Sequence, residues 1–296
     1  MLCWVNKNKM FCHTLCMCVM LAPFLALGGC AVIVKKAGNT FSNSLTEVIL
    51  NHDDLDTVKE ALPSYMLLMD SLIHRHPDSA ETYASAASLY SAYAGLVFQD
   101  DKSRIERLSN QALEYALRAL CLEESTLCAV KNMPFNEFEK NLENVTLESH
   151  LLFTTSSTWV GWIQAHKHDW NAIAQLPKAK VLMEKLLEQE EGYNQGQGHM
   201  YMGALEALVP PSAGGDLEKA KRHFESAITL SDSKNLMAKV LYAKNYARMI
   251  FDKELHDQLV NEVLAADPVA DRLTLMNMAA RKSAQELADS SENYFE

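Results

Sequence analysis

The sequence predicts an all-α fold, built as a degenerate array of helical hairpins with insertions. Two observations support this class. From Leu45 onward, apolar residues recur at intervals of three and four, as they do on one face of a helix. Gly and Pro are scarce within these periodic stretches, and no run of alternating β-branched residues marks a strand. The chain is therefore expected to bury its apolar residues between helices.

The first element is an N-terminal segment typical of a secretory signal. Lys7 and Lys9 precede an apolar run from Met10 to Leu27, and neither Asp nor Glu occurs before Cys30. The tetrapeptide Leu27-Gly28-Gly29-Cys30 resembles the lipobox of bacterial lipoproteins, in which the cysteine carries lipid and becomes the mature N-terminus. A short transmembrane anchor is the alternative, but about 17 apolar residues fall below the roughly 20 that a span requires.

These features predict three segments: a signal peptide at 1–29, a lipidated tether at 30–44 and a single helical domain at 45–296. Covalent lipid on Cys30 would hold the protein on the periplasmic side of a bacterial membrane. Ala31 follows the cysteine where some bacteria read a sorting signal, and it leaves the choice between inner and outer membrane open.

Eleven helices are predicted along the domain, with Pro, Gly or Asp at several of the breaks between them. Their approximate ranges are 56–75, 79–98, 103–122, 135–150, 154–167, 171–190, 195–208, 216–230, 234–251, 253–266 and 271–289. Pro77-Asp78, the run at 210–215 and Asp267-Pro268 mark three of the breaks. Asp216 suits a helix start because a carboxylate there faces the positive end of the helix dipole.

Small and large apolar residues recur at fixed spacings in the C-terminal third. Ala220, Phe224 and Ala227 put a small residue on either side of a large one, which lets a second helix approach closely. This pattern resembles the second helix of a tetratricopeptide repeat, and these three residues are the predicted repeat contacts. The closing positions of successive units do not keep a constant period, so insertions interrupt the array. The helices at 135–150 and 154–167 are expected to form such an insertion.

Cys121 and Cys128 are the two cysteines left once the signal is removed and Cys30 is lipidated. Along one helix, their separation corresponds to about 10 Å, more than the roughly 7 Å between Cα atoms that a disulfide tolerates. The pair can form only if the helix ends between them, as the polar stretch Glu123-Glu124-Ser125-Thr126 permits. The expectation is two buried free thiols.

A set of aromatic residues and histidines is the candidate lining of a ligand cavity or pore. Its members are Trp159, Trp162, His166, Trp170, His199 and Tyr201. Trp159 and Trp162 share a helix face, and aromatic walls suit apolar ligands. His166 and His199 would be polar groups in a mostly apolar cleft. The alternative is that these aromatic side chains fill the core where two helix pairs meet.

Charge and motifs argue against several functional classes. A formal net charge of −11, without clusters of Lys and Arg, is unsuited to nucleic-acid binding. No Gly-x-Ser-x-Gly elbow or Gly-x-x-x-x-Gly-Lys phosphate loop is present, so we expect no enzymatic activity and no cofactor other than the lipid on Cys30. His166 and His168 would point away from each other on a helix, so no metal site is expected.

The most specific resemblance to a known family lies between Pro210 and Ile228. The segment reads Pro-Pro-Ser-Ala-Gly-Gly-Asp-Leu-Glu-Lys-Ala-Lys-Arg-His-Phe-Glu-Ser-Ala-Ile and resembles the signature of the TRAP-transporter T-component lipoproteins. Other matching segments are Leu62-Pro63, Ala86-Ala87-x-x-Tyr90, Trp159-x-Gly161-Trp162, Gly198-His199 and Thr274-Leu275-x-Asn277-x-x-Ala280. Together with the lipobox, the resemblance covers nearly the whole mature chain.

This resemblance implies a periplasmic protein of tetratricopeptide-like helices that assembles as a homotrimer. It further implies a partner, the extracytoplasmic solute-binding protein of a tripartite ATP-independent (TRAP) transporter, and a part in solute uptake. The cargo would be an organic anion or a hydrophobic small molecule. The alternative is a general tetratricopeptide scaffold lipoprotein, which organises assemblies of the cell envelope without binding solute.

Overall fold

The computed structural model describes residues 46–96, 101–209 and 214–296. Every regular element in these ranges is helical, which agrees with the predicted all-α class. None of the helices described combines the length and apolar character needed to cross a membrane. The predicted signal peptide, Cys30 and the predicted tether lie outside the described residues.

The chain divides into two compact units, Met1–Leu50 and Asn51–Glu296. In the first unit, the structure describes a helical turn at 46–50. In the described part of the second unit, the α-helices are α1 (Leu55–Arg75), α2 (Ala80–Leu96), α3 (Lys102–Glu123), α4 (Phe135–Glu143), α5 (Ser149–Ala165), α6 (Trp170–Ile173), α7 (Leu176–Gln189), α8 (Tyr193–Glu206), α9 (Leu217–Leu230), α10 (Leu236–Tyr242), α11 (Lys253–Ala265), α12 (Thr274–Asp289) and α13 (Ser291–Phe295). A 3₁₀ turn at Ser125–Leu127 follows α3, and a π-helical turn at Ala243–Ala247 extends α10.

Consecutive long helices pack against one another along the second unit. The most extensive contacts join α2 to α3, α8 to α9, α3 to α5 and α5 to α7, and further contacts join α9 to α10 and α11 to α12. Hydrophobic clusters of the described residues lie between them, one around Trp159 and another around Phe224. This arrangement of neighbouring helix pairs is what an array of hairpins requires, while its membership of the tetratricopeptide class stays a prediction.

Aspartates begin five of the helices. The side chain of each accepts backbone N–H groups that have no partner inside the first helical turn. These residues are Asp54 before α1, Asp101 before α3, Asp169 before α6, Asp216 before α9 and Asp252 before α11. Asp216 was the start expected from the sequence, and it accepts the N–H of Lys219 at 3.0 Å.

Several predicted helix bounds are wrong, and polar residues account for two of the differences. The predicted helix at 135–150 ends at Glu143, where Asn144 turns back and donates its side-chain amide to the Lys140 carbonyl at 2.6 Å. The predicted helix at 195–208 starts two residues earlier in the structure, in an irregular turn. Asn194 and Gln195 adopt left-handed backbone angles there, so the regular helix follows them.

Three other bounds also shift. The predicted helix at 171–190 is two helices, α6 and α7, separated before Pro177, which occupies the first turn of α7 where its missing N–H costs nothing. The predicted helix at 154–167 begins earlier, at Ser149. The predicted helix at 271–289 begins later, at Thr274.

That residues 135–167 form an insertion in the repeat array stays a prediction, but the structure places α5 among the packed helices. This helix contacts α2, α3 and α7, and it buries Trp159 completely. Its position in the middle of the packed series follows from having buried residues on nearly all of its faces. Among the described residues, it is α4 that lies to the side, against α7 and the 3₁₀ turn.

The expectation of two free thiols is wrong as well, because Cys121 and Cys128 form a disulfide. Helix α3 ends at Glu123, and the 3₁₀ turn reverses the chain. The reversal brings the two Cα atoms to 4.2 Å, below the roughly 7 Å beyond which the residues could not be bridged. This is the pairing that the polar stretch between the cysteines permitted.

Two lysines, the buried Lys178 and the half-buried Lys185, join α7 to the backbone of neighbouring segments. The Lys178 Nζ donates to the Val130 carbonyl at 2.8 Å, and burial lowers the pKa of this ammonium. The Lys185 Nζ donates to the carbonyls of Leu142 and Val145 at 2.6 and 2.8 Å. These bonds join α7 to the backbone of residues 130, 142 and 145.

Candidate functional site

An apolar groove of about 380 Å³ opens at the start of α7. It is lined by Trp170, Ile173, Ala174, Leu176, Pro177, Lys180 and Gly214. The Trp170 side chain is 81 % exposed, although Trp is usually among the more buried residues. An exposed indole at the mouth of an apolar depression is suited to contacting an apolar ligand or a partner protein.

One ion pair borders this groove. The Lys180 Nζ lies 2.7 Å from Oε1 of Glu206, whose side chain is only 1 % exposed. The second carboxylate oxygen of Glu206 is buried and has no hydrogen-bond partner among the described residues. The Glu206 backbone carbonyl accepts the N–H of Asp216 at 2.9 Å, which ties the start of α9 to the end of α8. The pair places a charged edge beside an otherwise apolar surface.

His199 on α8 and His223 on α9 form a second polar feature between buried helix faces. Their Nδ1 atoms lie 2.8 Å apart, so one nitrogen donates a proton and the other accepts it. Burial lowers the pKa of His199. Burial, together with the charge that His199 would carry, lowers the pKa of His223 to about 4. The pair is therefore neutral at neutral pH.

The predicted repeat contacts lie where α9 packs on α8. Ala220, Phe224 and Ala227 are fully buried on the inner face of α9. A Cβ at Gly203 of α8 would stand 2.9 Å from the Phe224 ring, so the absent side chain is what lets the ring lie against that helix. Gly196 has a φ of +80°, and a Cβ there would approach the Ala227 backbone to 3.0 Å. Small residues thus set the separation of the two helices.

The predicted cavity residues on α5 are found mainly in the core. Trp159 is fully buried in the first hydrophobic cluster. Trp162 is nearly buried, and its Nε1 donates to the side-chain oxygen of Asn110 at 2.7 Å. His166 is half-buried, and its Nδ1 lies 2.8 Å from the Trp162 carbonyl. The Lys131 ammonium lies 4.9 Å from the centre of the Trp162 ring.

The other three predicted residues are distributed over α6 and α8. Trp170 lines the groove, His199 pairs with His223, and the Tyr201 ring packs edge-on against Phe153 with centroids 5.3 Å apart. The structure thus brings Trp162 and His166 together but does not gather all six residues around one space. Whether any of them lines a path for a ligand remains a prediction.

Three buried polar atoms on one face of α5 lack hydrogen-bond partners among the described residues. They are the hydroxyls of Thr155 and Thr158 and the indole N–H of Trp159. Such groups are commonly satisfied by buried water. No group of three or more His, Cys, Asp or Glu in the described ranges is arranged to hold a metal ion.

Sequence reasoning missed Lys180, Glu206 and His223 as parts of these sites. For the histidine pair the sequence offered one usable indication, namely Gly203 and Phe224, which fix how α8 lies on α9. His199 precedes Gly203 by one turn, and His223 is adjacent to Phe224. The ion pair of Lys180 with Glu206 had no comparable signal, since it depends on the placement of α7 against α8.

These features define an all-helical protein with a surface groove, a disulfide and closely packed helix pairs. A family model described as TRAP transporter T-component matches residues 51–295. The chain belongs to this family, as the sequence resemblance indicated, and the family links it to TRAP transport. The chain is also 24 % identical to an uncharacterized protein of Treponema pallidum (strain Nichols) over 243 residues, which cover 75 % of this chain and 74 % of that protein.

Proposed function

We propose that this protein is a lipoprotein of the periplasmic side of a bacterial membrane that docks an extracytoplasmic solute-binding protein and assists TRAP-type solute uptake. The family match over residues 51–295 carries this proposal. The lipobox at Cys30 adds the anchor, and the proposed state is a homotrimer without enzymatic activity or a cofactor beyond the lipid. The inner and outer membranes both remain compatible with the anchor.

The disulfide between Cys121 and Cys128 supports a location outside the cytosol. Disulfides persist in oxidising compartments such as the bacterial periplasm and are rare where thiols are kept reduced. The Cys128 residue is exposed, so a reducing environment would have access to the bond. The bond and the lipobox therefore agree on the compartment.

The groove beside Trp170 bears on whether the cargo is a hydrophobic molecule or an organic anion. Its apolar lining suits a hydrophobic small molecule or an apolar side chain of the docked protein, and the Lys180 ammonium at its border suits an organic anion. Because Glu206 already pairs with Lys180, an anionic ligand would have to compete with that carboxylate. This competition favours the hydrophobic cargo.

A general scaffold function is the second candidate, and the exposure of Trp170 favours it. A side chain that is 81 % exposed at an open groove resembles a protein-contact residue more than the wall of an enclosed ligand site. In this case the chain would organise envelope proteins through its helical surfaces and would carry no solute.

Comparison of spent growth media tests the uptake function. Wild-type cells, cells lacking this protein and cells lacking a TRAP permease would be grown in the same medium, and the remaining solutes compared by mass spectrometry. The proposal predicts that both mutants leave the same solute unconsumed. Normal consumption of every solute by cells lacking this protein, combined with altered envelope composition, would favour the scaffold.

A further inference from the structure

Four large apolar side chains are exposed together near the end of the chain. Met249, Ile250, Phe251 and Tyr294, here called the Phe251 patch, are 45 %, 41 %, 60 % and 42 % exposed. The rings of Phe251 and Tyr294 are adjacent, with centroids 6.0 Å apart. Single exposed apolar residues are normal on protein surfaces, but a contiguous group marks a contact site.

The backbone at Phe251 is in a conformation that a bulky residue rarely adopts. Its φ is +60°, in the left-handed region that favours Gly or Asn. The π-helical turn at Ala243–Ala247 lies just before it, and such turns are frequent at functional sites. Solvation and backbone energy both disfavour Phe at this position. The ring lies against Tyr294 and Phe295, at centroid distances of 6.0 and 5.3 Å, and is still 60 % exposed, so part of its apolar surface is open to a partner.

A polar network holds the base of the Phe251 patch in place. The Arg248 guanidinium donates to Nε2 of His256 at 3.2 Å and to the Ser290 hydroxyl at 2.7 Å. It also lies 4.6 Å from the centre of the Tyr294 ring. The Tyr294 hydroxyl in turn donates to the Arg248 carbonyl at 3.2 Å. The patch is therefore presented on a fixed frame, which lowers the entropy lost when a partner binds.

The surroundings of the patch are acidic. Residues 248–257 and 286–296 contain seven carboxylate side chains and two cationic ones, Arg248 and Lys253. Arg248 is engaged in the network, and Lys253 pairs with Asp257 and Glu292 at 2.7 and 3.0 Å. Lys244 is a further exposed cation, one turn before Arg248. The two chain segments that carry the apolar surface therefore have an excess of negative charge.

We propose that the Phe251 patch docks a segment of another protein that is apolar in the middle and carries Lys or Arg at its edges, such as one face of an amphipathic helix. The apolar side chains match the patch, and the basic residues match its acidic border. A second copy of this chain is a poor occupant, because the chain has a formal net charge of −11 and no cluster of Lys and Arg to face the acidic border. The inference concerns a surface separate from the groove and does not depend on the transport function.

The test uses a fluorescent amphipathic peptide of Leu and Lys as probe, and the same peptide with Glu in place of Lys. Binding to the mature chain is followed by fluorescence anisotropy. The variant Phe251→Asn removes the exposed ring, and Asn accepts the left-handed backbone. Its expected effect is about tenfold weaker binding of the Lys peptide. The matched control is Leu67→Asn on α1, where a side chain 71 % exposed is removed elsewhere, and binding should not change.

Thermal unfolding of each variant checks that the fold is kept, and Ile250→Asn replaces Phe251→Asn if the latter unfolds. Equal binding of the Lys and Glu peptides, or unchanged binding in a folded Phe251→Asn variant, would overturn the proposal. Sedimentation velocity adds a separate outcome. Self-association of the wild-type chain that Phe251→Asn abolishes would show that a second copy occupies the patch, and this too would overturn the proposal.

Discussion

Ala227 lies where α8 and α9 pack closely together. It is fully buried, and the Gly196 backbone lies directly against it. We predict that Ala227→Leu lowers the free energy of unfolding by about 1–3 kcal/mol, because added methylene groups must displace packed neighbours. Urea unfolding measures the change. The exposed Ala61 on α1 provides the control, where Ala61→Leu should leave the unfolding midpoint nearly unchanged.

The buried pair of His199 and His223 predicts a dependence of stability on pH. Histidine in the unfolded chain titrates near about pH 6.5, whereas His223 in the folded chain has a pKa of about 4. Between these values the unfolded state binds more protons, so the free energy of unfolding falls as the pH is lowered. The contribution of the pair is complete above the unfolded pKa and is lost as the pH approaches 4.

His223→Gln should reduce this loss by about 1 kcal/mol, a value that allows for partial solvent screening. The variant cannot gain a proton, and its amide can still pair with His199. Chemical denaturation at a series of pH values between the two pKa values measures the difference. His74→Gln on α1 is the control, since His74 is exposed. A wild-type pH profile reproduced by His223→Gln would show that the pair does not control stability.

The residues that could be predicted are those with a local pattern. The spacing of Ala220, Phe224 and Ala227 along one helix is enough to identify a buried face from the sequence alone. The partners across that face could not be predicted, since Gly203 and His199 are defined by how a second helix lies on the first. The same reason explains why Trp159 and Trp170, both candidates for one cavity, are found in the core and at the surface respectively.

At the scale of elements, Asn277 joins three segments near the start of α12. It is fully buried, and its side-chain oxygen accepts the N–H of Leu236 at 3.0 Å. Its amide donates to the carbonyls of Lys234 and Pro268 at 2.9 and 3.1 Å. One side chain thereby satisfies the start of α10 and the loop before α12. This accounts for the asparagine in the motif that resembled the family signature.

We predict that Asn277→Ala lowers the free energy of unfolding by about 2–3 kcal/mol, because it leaves one buried and two partly buried backbone groups without partners. Gln285→Ala on the same helix is the matched control. Gln285 is exposed and bonds to Asp289, so its removal should cost under about 0.5 kcal/mol. Equal stability of the two variants, measured by thermal unfolding, would mean that the bonds of Asn277 are replaced by water.

Helix bounds could be predicted where a charged residue caps its own helix. Asp216 marked the start of α9 because its carboxylate caps its own helix. Asn144 ended α4 without a comparable signal, since asparagine also occurs inside helices. The pairing of Cys121 with Cys128 could not be decided from spacing, because it depends on whether α3 stops after Glu123.

At the scale of the whole molecule, the second unit closes through contacts between its first and last parts. The N–H of Arg272, before α12, donates to the Asn51 side chain at 2.7 Å, and α12 contacts α1. The first residues of the unit are thereby fixed against its C-terminal region. A membrane anchor placed upstream would thus be connected to a unit that is tied together at its two ends.

Anchoring itself depends on Cys30. We predict that Cys30→Ala moves the protein from the membrane to the soluble fraction, because the sulfur that would carry lipid is absent. Fractionation of cells followed by immunoblotting measures the distribution. Cys18→Ala, which changes a cysteine of the predicted signal peptide, is the control and should leave the protein in the membrane. Membrane retention of the cleaved Cys30→Ala protein would show that the anchor lies elsewhere.

The central claim is that this member of the T-component family works with a solute-binding protein. Native mass spectrometry of the delipidated mature protein, alone and mixed with TRAP solute-binding proteins from the same cell, tests it most directly. We predict a homo-oligomer that takes up a binding protein in a fixed ratio. A monomer that binds none of these proteins would contradict the account and would leave the family relationship informative about the fold alone.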